Sequence, residues 1–129
     1  MPAYEVEHVC PLAVGQQDEL AEAITKIHSD HFKTPKLFVN VRFTNIENHA
    51  TYVAGKRRKA NRIFAYVRHG PSRTQSDYDA VSAALTKAWD SIVPVPQVTR
   101  SVPAPETELR LVMYYGTSRH GIIHAMPSR

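Results

Sequence analysis

The sequence predicts an α/β (α+β) fold of two fused β-α-β units, with a four-stranded mixed sheet that carries two helices on one face. Stretches with alternating apolar residues and stretches with apolar residues every three or four positions follow one another as strand, helix, strand. This order occurs twice, over about 2–44 and about 62–116, and a polar connector over 45–61 joins the two units. The 129 residues therefore predict a single domain, 1–129, that ends in a tail over 117–129.

The first unit begins almost at the N-terminus with a strand over residues 4–9, where apolar and polar residues alternate. A helix follows over about residues 15–32, and Pro35 stops it. The second strand covers residues 37–43, in which every other residue is apolar. The helix residues that we expect to face the core recur every three or four positions: Leu20, Ile24, Ile27 and His31.

The second unit repeats this pattern with a strand over residues 62–68 and a turn that leads into a helix ending near residue 92. Thr74 and Asp77, three residues apart, predict a capping box at the start of that helix. A proline-rich crossing over 94–105 leads to the last strand, 109–115. The residues expected on the core side of the second helix are Tyr78, Val81, Leu85, Ala88 and Trp89.

The crossover helices predict that the two strands of each unit run parallel, with both helices on the same face of the sheet. The other face is then left without a cover. An apolar sheet face of this size is normally buried against a partner, so we expect a homo-oligomer. The residues expected on the uncovered face are Phe38, Phe64, Tyr66, Val112 and Tyr114.

The chain carries a net charge of +4, and its cations are unevenly placed. We interpret the cluster in the connector as a solvated surface loop first, as a source of anion steering second, and as a nucleic-acid contact last. No aromatic-rich RNA-binding signature or zinc-finger spacing supports nucleic acid as a partner. The cluster consists of Lys56, Arg57, Arg58, Lys59 and Arg62.

The single cysteine, Cys10, excludes an intramolecular disulfide and is compatible with a reducing compartment. No secretory signal pattern and no apolar run of membrane-spanning length occurs, so we expect a cytoplasmic protein without membrane contact. His28 and His31 have a spacing that could hold a metal, but a third ligand is missing. We therefore expect no metal and no cofactor.

Pro2 follows the initiator methionine, and Met1 is normally removed when a small residue stands second. Removal would leave a secondary amine at the N-terminus, a base and nucleophile held rigidly by its own ring. α-Amino groups titrate at about pH 7.7–8.0 in reference peptides. A nearby cation or an apolar wall would lower that pKa toward neutral pH, where general acid–base catalysis is most efficient.

The start Met1-Pro2, a helical segment over 21–28 (AEAITKIH) and a following strand over 35–41 (PKLFVNV) resemble the tautomerase superfamily. The similarity extends over about residues 2–116 and is greatest to the subgroup like cis-3-chloroacrylic acid dehalogenase, in which two β-α-β units are fused. The resemblance implies a catalytic N-terminal proline and a trimeric assembly.

The same resemblance implies roles for further residues. His28 would hold a substrate carboxylate or orient a water, although its position on the apolar side of its helix also fits a satisfied core histidine. Arg68 and Arg73 would clamp the carboxylate; their spacing is five where the subgroup has three, so Arg68 reaches the site only if the turn bulges. Tyr114 would line the site from the last strand, because the adjacent Tyr115 points to the opposite face.

One departure from the subgroup favours a tautomerase over a dehalogenase or hydratase. The dehalogenases carry a water-activating glutamate beyond the tyrosine, whereas residues 117–129 contain no acidic residue. The expected substrate is a small 2-oxo or unsaturated carboxylate, isomerised by the proline amine as general base and acid. Decarboxylation of a 3-oxo acid remains an alternative, and so does a non-catalytic oligomeric binding module. The binding module predicts that Pro2→Ala changes no activity, and that charge reversal at Arg57 and Arg58 abolishes partner binding.

Overall fold

A mixed β-sheet with two long helices forms the fold in the computed structural model, which describes residues 2–93, 109–116 and 122–127. The helices are α1 (Val14–Phe32) and α2 (Gln75–Ile92), and a 3-10 helix covers Lys36–Phe38. The sheet strands are β1 (Ala3–His8), β2 (Asn40–Asn45), β5 (Asn61–Arg68), β6 (Leu109–Gly116) and β7 (Ile122–Pro127); β3 (Tyr52–Val53) and β4 (Lys56–Arg57) form a separate hairpin.

The sheet has the strand order β2-β1-β5-β6-β7. β1 pairs in parallel with β2, and β5 pairs in parallel with β6, as the two crossovers predict. An antiparallel pairing of β1 with β5 joins the two units into the predicted four-stranded mixed sheet. β7 adds a fifth strand antiparallel to β6, so part of the predicted tail extends the sheet. The crossing over 94–105 and residues 117–121 lie outside the described residues.

Both helices pack on the same face of the sheet, and the core lies between them and alternate residues of β1, β5 and β6. Tyr4 and Val6 of β1 contribute to this core, and so do Ile63 and Ala65 of β5. The core residues of α2 are those that its periodicity predicts, with Ala88 only partly buried: Tyr78, Val81, Leu85 and Trp89.

Asn61 joins the two units through hydrogen bonds to the loop after β1. Its side chain is fully buried at the start of β5, and its Oδ1 accepts hydrogen bonds from the backbone N–H groups of Val9 (2.8 Å) and Cys10 (3.4 Å). Buried polar groups need such partners. The loop after β1 is thereby attached to the first residue of β5.

The buried stripe of α1 differs from the predicted one in the second half of the helix. Leu20, Ile24 and His28 are buried and Ile27 is partly buried. His31 lies at the surface and pairs with Asp77 of α2 (Nε2 to Oδ1, 3.1 Å). Residues four apart lie on the same side of a helix. Leu20, Ile24 and His28 therefore form one stripe, and His31 lies outside it. The prediction that His31 faces the core was wrong.

The second strand begins later than predicted. The N–H groups of Phe38 and Val39 donate to the carbonyls of Pro35 and Lys36, both at 3.0 Å, so this segment forms a 3-10 turn and β2 starts at Asn40. Within β2, Val41 and Phe43 still pack against the core. Phe38 precedes the strand and is therefore not part of the uncovered sheet face, contrary to the prediction.

The face of the sheet away from the helices carries the other apolar residues predicted for it. Phe64 of β5 is opposite Val112 of β6, and Tyr66 is opposite Tyr114. The rings of Tyr66 and Tyr114 stack with their centroids 4.8 Å apart and their planes 5° from parallel. An apolar and aromatic strip therefore covers two neighbouring strands, and neither α1 nor α2 packs over it. Among the described residues, neither helix has the length and apolar composition needed to cross a membrane.

The capping box at the start of α2 forms as predicted, and its loss has a measurable expected effect. Thr74 Oγ1 accepts from the Asp77 N–H (3.3 Å), and Asp77 Oδ2 accepts from the Thr74 N–H (2.7 Å). We expect Thr74→Ala to lower the free energy of unfolding by about 1 kcal/mol, measured by urea denaturation. Ser76→Ala in the same helical turn is the matched control; an equal loss in both variants would contradict the role of the cap.

Candidate active site

A cavity of about 430 Å³ opens where α1 ends and α2 begins, beside the N-terminal end of β1 and the C-terminal end of β5. It brings together four of the five residues that the sequence predicted for the site, from both β-α-β units. The residues that line it are Pro2, His28, Phe32, Lys33, Thr34, Pro35, Phe38, Arg68 and Arg73.

Pro2 stands directly before β1, and the sheet holds it in place. Its carbonyl accepts a hydrogen bond from the N–H of Asn40 at 3.1 Å, which continues the parallel pairing of β1 with β2. Side chains alternate across a strand, so Pro2 lies on the same face as the buried Tyr4. This register places the proline ring at the rim of the cavity, half-buried.

His28 lies in the last third of α1 and is only 1% exposed. Its Nδ1 is hydrogen-bonded to the Tyr4 hydroxyl at 2.7 Å, and its ring is 4.9 Å from that of Phe32. Burial lowers the pKa of His28 to about 4, with smaller contributions from the charges of Arg73 and His31. The imidazole is therefore neutral at physiological pH and can contribute a hydrogen bond to the cavity but no charge.

Arg73 directly precedes the capping residue of α2, and its position is well defined. Its guanidinium lies 4.1 Å from the centroid of the Phe32 ring, and its Nη1 donates to the Arg68 carbonyl at 2.7 Å. The Tyr78 hydroxyl donates to the same carbonyl at 3.2 Å, and the Arg73 N–H donates to the Gly70 carbonyl at 3.0 Å. The turn between β5 and α2 is thereby folded so that both arginines line the cavity despite their wider spacing.

The cavity has a cationic lining. Lys33 adds a third basic side chain, and within the described part of the chain no aspartate or glutamate lines the cavity. Neither Arg68 nor Arg73 forms an ion pair with another described residue. The two guanidinium groups are therefore available to an anionic ligand, and bidentate pairing with a carboxylate is the geometry that arginine prefers.

Sequence reasoning missed the residues that close the cavity at the end of α1. Lys33 ends this helix with a left-handed backbone (φ 56°, ψ 37°), a conformation in which glycine is the usual residue. The signal that could have found it is a basic residue two positions before Pro35, where a helix must stop. Phe38 was assigned to a strand, and the 3-10 turn instead brings it to the cavity.

Tyr114 is the predicted site residue that the structure does not bring to this cavity. It lies on the opposite face of the sheet, stacked on Tyr66, although at the same end of the sheet as Pro2. Its catalytic role stays a prediction. For that role, Tyr114 would have to reach the cavity of a second copy of the chain.

The described residues contain no group of three or more His, Cys, Asp or Glu side chains that could hold a metal ion. His28 and His31 point to different neighbours, Tyr4 and Asp77. Cys10 is buried, and this burial raises the pKa of its thiol, which makes it a poor nucleophile.

The low pKa of His28 predicts a loss of stability in acid. In the unfolded chain a histidine titrates at about pH 6.5, so the unfolded state takes up this proton before the folded state does. The free energy of unfolding should fall by about 2 kcal/mol between pH 7 and about pH 4.5 from this group alone. Urea denaturation of His28→Gln at both pH values should lack that part of the decrease. Equal decreases in the variant and the original protein would contradict the assignment.

Comparison with known proteins assigns the fold and the family. The family model described as "putative oxalocrotonate tautomerase enzyme" matches residues 1–117. A fused 4-OT solved as a symmetric trimer is 15% identical, covers 94% of this chain and 94% of its own, and superposes with a TM-score of 0.67. No curated protein sequence matches the chain.

Two further solved structures have the same fold. A member of the cis-3-chloroacrylic acid dehalogenase family is 16% identical, covers 94% of this chain and 82% of its own, and has a TM-score of 0.65. A protein crystallised after inactivation by 2-oxo-3-pentynoate is 16% identical, covers 98% of this chain and 95% of its own, and has a TM-score of 0.64. These two structures show the shared fold, and because the family model matches nearly the whole chain, the protein belongs to the putative oxalocrotonate tautomerase family.

Proposed function

We propose that the protein is a tautomerase that converts the enol and keto forms of small 2-oxo carboxylates, with the Pro2 amine as base and acid after Met1 is removed. The observation that carries the proposal is the cavity that brings Pro2 together with two arginines and a neutral histidine. The membership in a tautomerase family supports it.

The arginines would hold the carboxylate. Arg73 is fixed by its stacking on Phe32 and its hydrogen bond to the Arg68 carbonyl, so its guanidinium loses little freedom when a ligand binds. Charge-assisted pairs of this type are short and strong, and they are directional when two N–H groups meet two oxygens. A planar 2-oxo acid held at its carboxylate would have its C2 oxygen and C3 carbon directed toward Pro2.

The proton transfer balances without a co-reactant. The neutral Pro2 nitrogen takes the proton from the enol hydroxyl at C2, the C2–O bond becomes a carbonyl, and the electron pair of the C2–C3 double bond moves toward C3. The prolinium then delivers the same proton to C3, which restores the free amine. Arg68 and Arg73 disfavour the protonated amine and thereby lower the pKa of Pro2, so the neutral form is available near pH 7.

Hydrolytic dehalogenation and hydration need a carboxylate that activates water, in addition to cations for the substrate. Within residues 2–93 and the described strands, no acidic side chain lines the cavity, and residues 117–129 contain none. The chemistry of the site therefore favours proton transfer between oxygen and carbon over attack by water.

We also propose a homotrimer. The solved relatives include a symmetric trimer, and the apolar strip of Phe64, Tyr66, Val112 and Tyr114 has no cover within the described chain. A second copy packed on this strip would bring Tyr114 of one copy near the end of the sheet where Pro2 of the other copy lies. Sedimentation velocity would measure the assembly, and a monomer at micromolar concentration would contradict it.

A binding module is the competing function, and the hairpin of β3 and β4 is the observation in its favour. Arg57 lies 5.2 Å from the Tyr52 ring centroid and donates to its hydroxyl at 2.9 Å, on an exposed and basic hairpin. Ketonisation of phenylpyruvate enol and of 2-hydroxymuconate by protein with an untagged N-terminus distinguishes the two functions. A binding module has no such activity, and a tautomerase retains it after charge reversal at Arg57 and Arg58.

A further inference from the structure

The hydrogen bond between Tyr4 and His28 lies outside the cavity but determines which nitrogen of the histidine carries a proton. Both side chains are 1% exposed, and the Tyr4 hydroxyl oxygen is 2.7 Å from His28 Nδ1. Among the described residues, this is the one hydrogen bond that either side chain makes. The proton arrangement of the pair can therefore be worked out from its surroundings.

Both groups are neutral near pH 7. Burial raises the pKa of the Tyr4 hydroxyl further above its ordinary value and lowers that of His28 to about 4. A neutral imidazole carries its proton on Nδ1 or on Nε2. The two tautomers differ in what they do to the Tyr4 hydroxyl.

A proton on Nδ1 would be donated to the Tyr4 oxygen and would leave the tyrosine O–H without an acceptor. An unpaired buried hydroxyl costs about 1–3 kcal/mol, or roughly a 5- to 150-fold preference for the other arrangement. With the proton on Nε2, the Tyr4 hydroxyl donates to the bare Nδ1, and both atoms of this hydrogen bond are satisfied. The tautomer with Nε2–H is therefore strongly preferred.

The cavity receives the other edge of the ring. His28 lines the cavity and Tyr4 does not, so the edge occupied by Tyr4 faces the core and the edge with Nε2 faces the ligand. Phe32 packs beside the ring at 4.9 Å and limits its rotation. We propose that Tyr4 is a positioning residue that holds His28 as the Nε2–H tautomer, so that a neutral N–H donor faces an oxygen of the bound 2-oxo acid.

This inference rests on the proposed function for its ligand, and it adds a role for an uncharged donor. A charged imidazole would add a further cation to Arg68, Arg73 and Lys33; it would strengthen anion binding but would also lower the pKa of Pro2 further. A neutral donor holds an enolate oxygen without that effect. Because the pKa of His28 is lowered to about 4, its imidazole is neutral over the pH range in which an N-terminal amine titrates, and the donor is unchanged there.

The first test is Tyr4→Phe, which removes the hydroxyl and keeps the ring. Protein labelled with ¹⁵N-histidine reports the tautomer of His28 through the shifts of its two ring nitrogens, and His28→Gln assigns the signals. We expect Nε2–H in the original protein and a mixture of tautomers or Nδ1–H in Tyr4→Phe. Nδ1–H in the original protein, or an unchanged tautomer in the variant, would overturn the proposal.

Kinetics separate positioning from a merely structural role. Tyr4→Phe should lower kcat/KM for phenylpyruvate enol by about tenfold, the effect of one hydrogen bond, while Tyr52→Phe on the exposed hairpin should not. In a His28→Gln background the glutamine amide donates without a tautomer, so Tyr4→Phe should change kcat/KM less than about twofold. A tenfold loss in both backgrounds would mean that Tyr4 acts through packing and would overturn the proposal. If the original protein has no tautomerase activity, the proposed function fails, whereas the ¹⁵N shifts still decide the tautomer.

Discussion

Pro2→Ala is expected to lower kcat/KM for ketonisation of phenylpyruvate enol by about 10²–10⁴-fold, the usual contribution of a positioned proton-transfer group. Alanine at position 2 also allows removal of Met1, so the variant keeps an α-amine of similar pKa. It loses the ring, and with it the fixed direction of the nitrogen lone pair that the pairing of Pro2 with Asn40 sets up. Intact mass must show that Met1 is absent in both proteins before rates are compared.

Two further proteins make this test specific. Pro11→Ala replaces an exposed proline that does not line the cavity and should retain full activity. An N-terminal extension leaves Pro2 in place but converts its nitrogen to an amide, which has no basic lone pair, and should be as inactive as Pro2→Ala. Full activity in the extended protein would show that the amine takes no part. Equal rates for Pro2→Ala and the original protein would favour the binding-module function.

Arg73→Ala is expected to lower kcat/KM by about 10²-fold, because a carboxylate held by two charge-assisted hydrogen bonds loses both. The loss should appear mainly in KM if the arginine binds substrate and transition state equally. The variant should also shift the acidic limb of the pH–rate profile to higher pH, since removal of a nearby cation raises the pKa of the Pro2 amine.

The controls for Arg73 follow from its contacts. Arg73→Ala removes the stacking on Phe32, which contributes about 0.5–1 kcal/mol to stability at such sites, so urea denaturation should accompany the kinetics. Arg73→Lys keeps the charge but loses the planar guanidinium group. We expect it to have the pH profile of the original protein and a KM between those of the original protein and Arg73→Ala. Arg58→Ala in the exposed connector should change neither. An unchanged KM in Arg73→Ala would rule out the carboxylate clamp.

Much of this fold could be predicted because its two helices have strong periodic patterns and clear end signals. The box of Thr74 and Asp77 and the apolar stripe of α2 placed that helix within a residue of its observed limits. The start of β2 could not be predicted, because every second residue from Leu37 to Phe43 is apolar, as in a strand, whereas local hydrogen bonds to Pro35 and Lys36 fold residues 36–38 as a 3-10 turn. Alternation reports which residues are apolar but not how the backbone turns between elements.

The candidate site was predicted in part for a similar reason. Pro2, His28 and Arg73 occupy element ends or a core stripe, which sequence patterns locate well. Lys33 was missed because its left-handed position at the helix end lacks the usual glycine, and its spacing of two residues before Pro35 is a weaker signal. The position of Tyr114 relative to the cavity depends on packing between copies of the chain, and nothing in the pattern of one strand determines that.

The hydrogen bonds of Asn61 to the loop after β1 distinguish the opening position of the second unit from that of the first. β1 and β5 are the opening strands of the two units, so Asn61 stands near the position in the second unit that Pro2 occupies in the first. A nitrogen inside the chain is an amide and cannot act as a base. At the start of β5, the side-chain oxygen of the buried Asn61 instead accepts hydrogen bonds from the N–H groups of Val9 and Cys10. The two opening positions therefore differ: the first carries Pro2, the base of the proposed function, and the second attaches the loop after β1 through Asn61, so the two halves are not interchangeable.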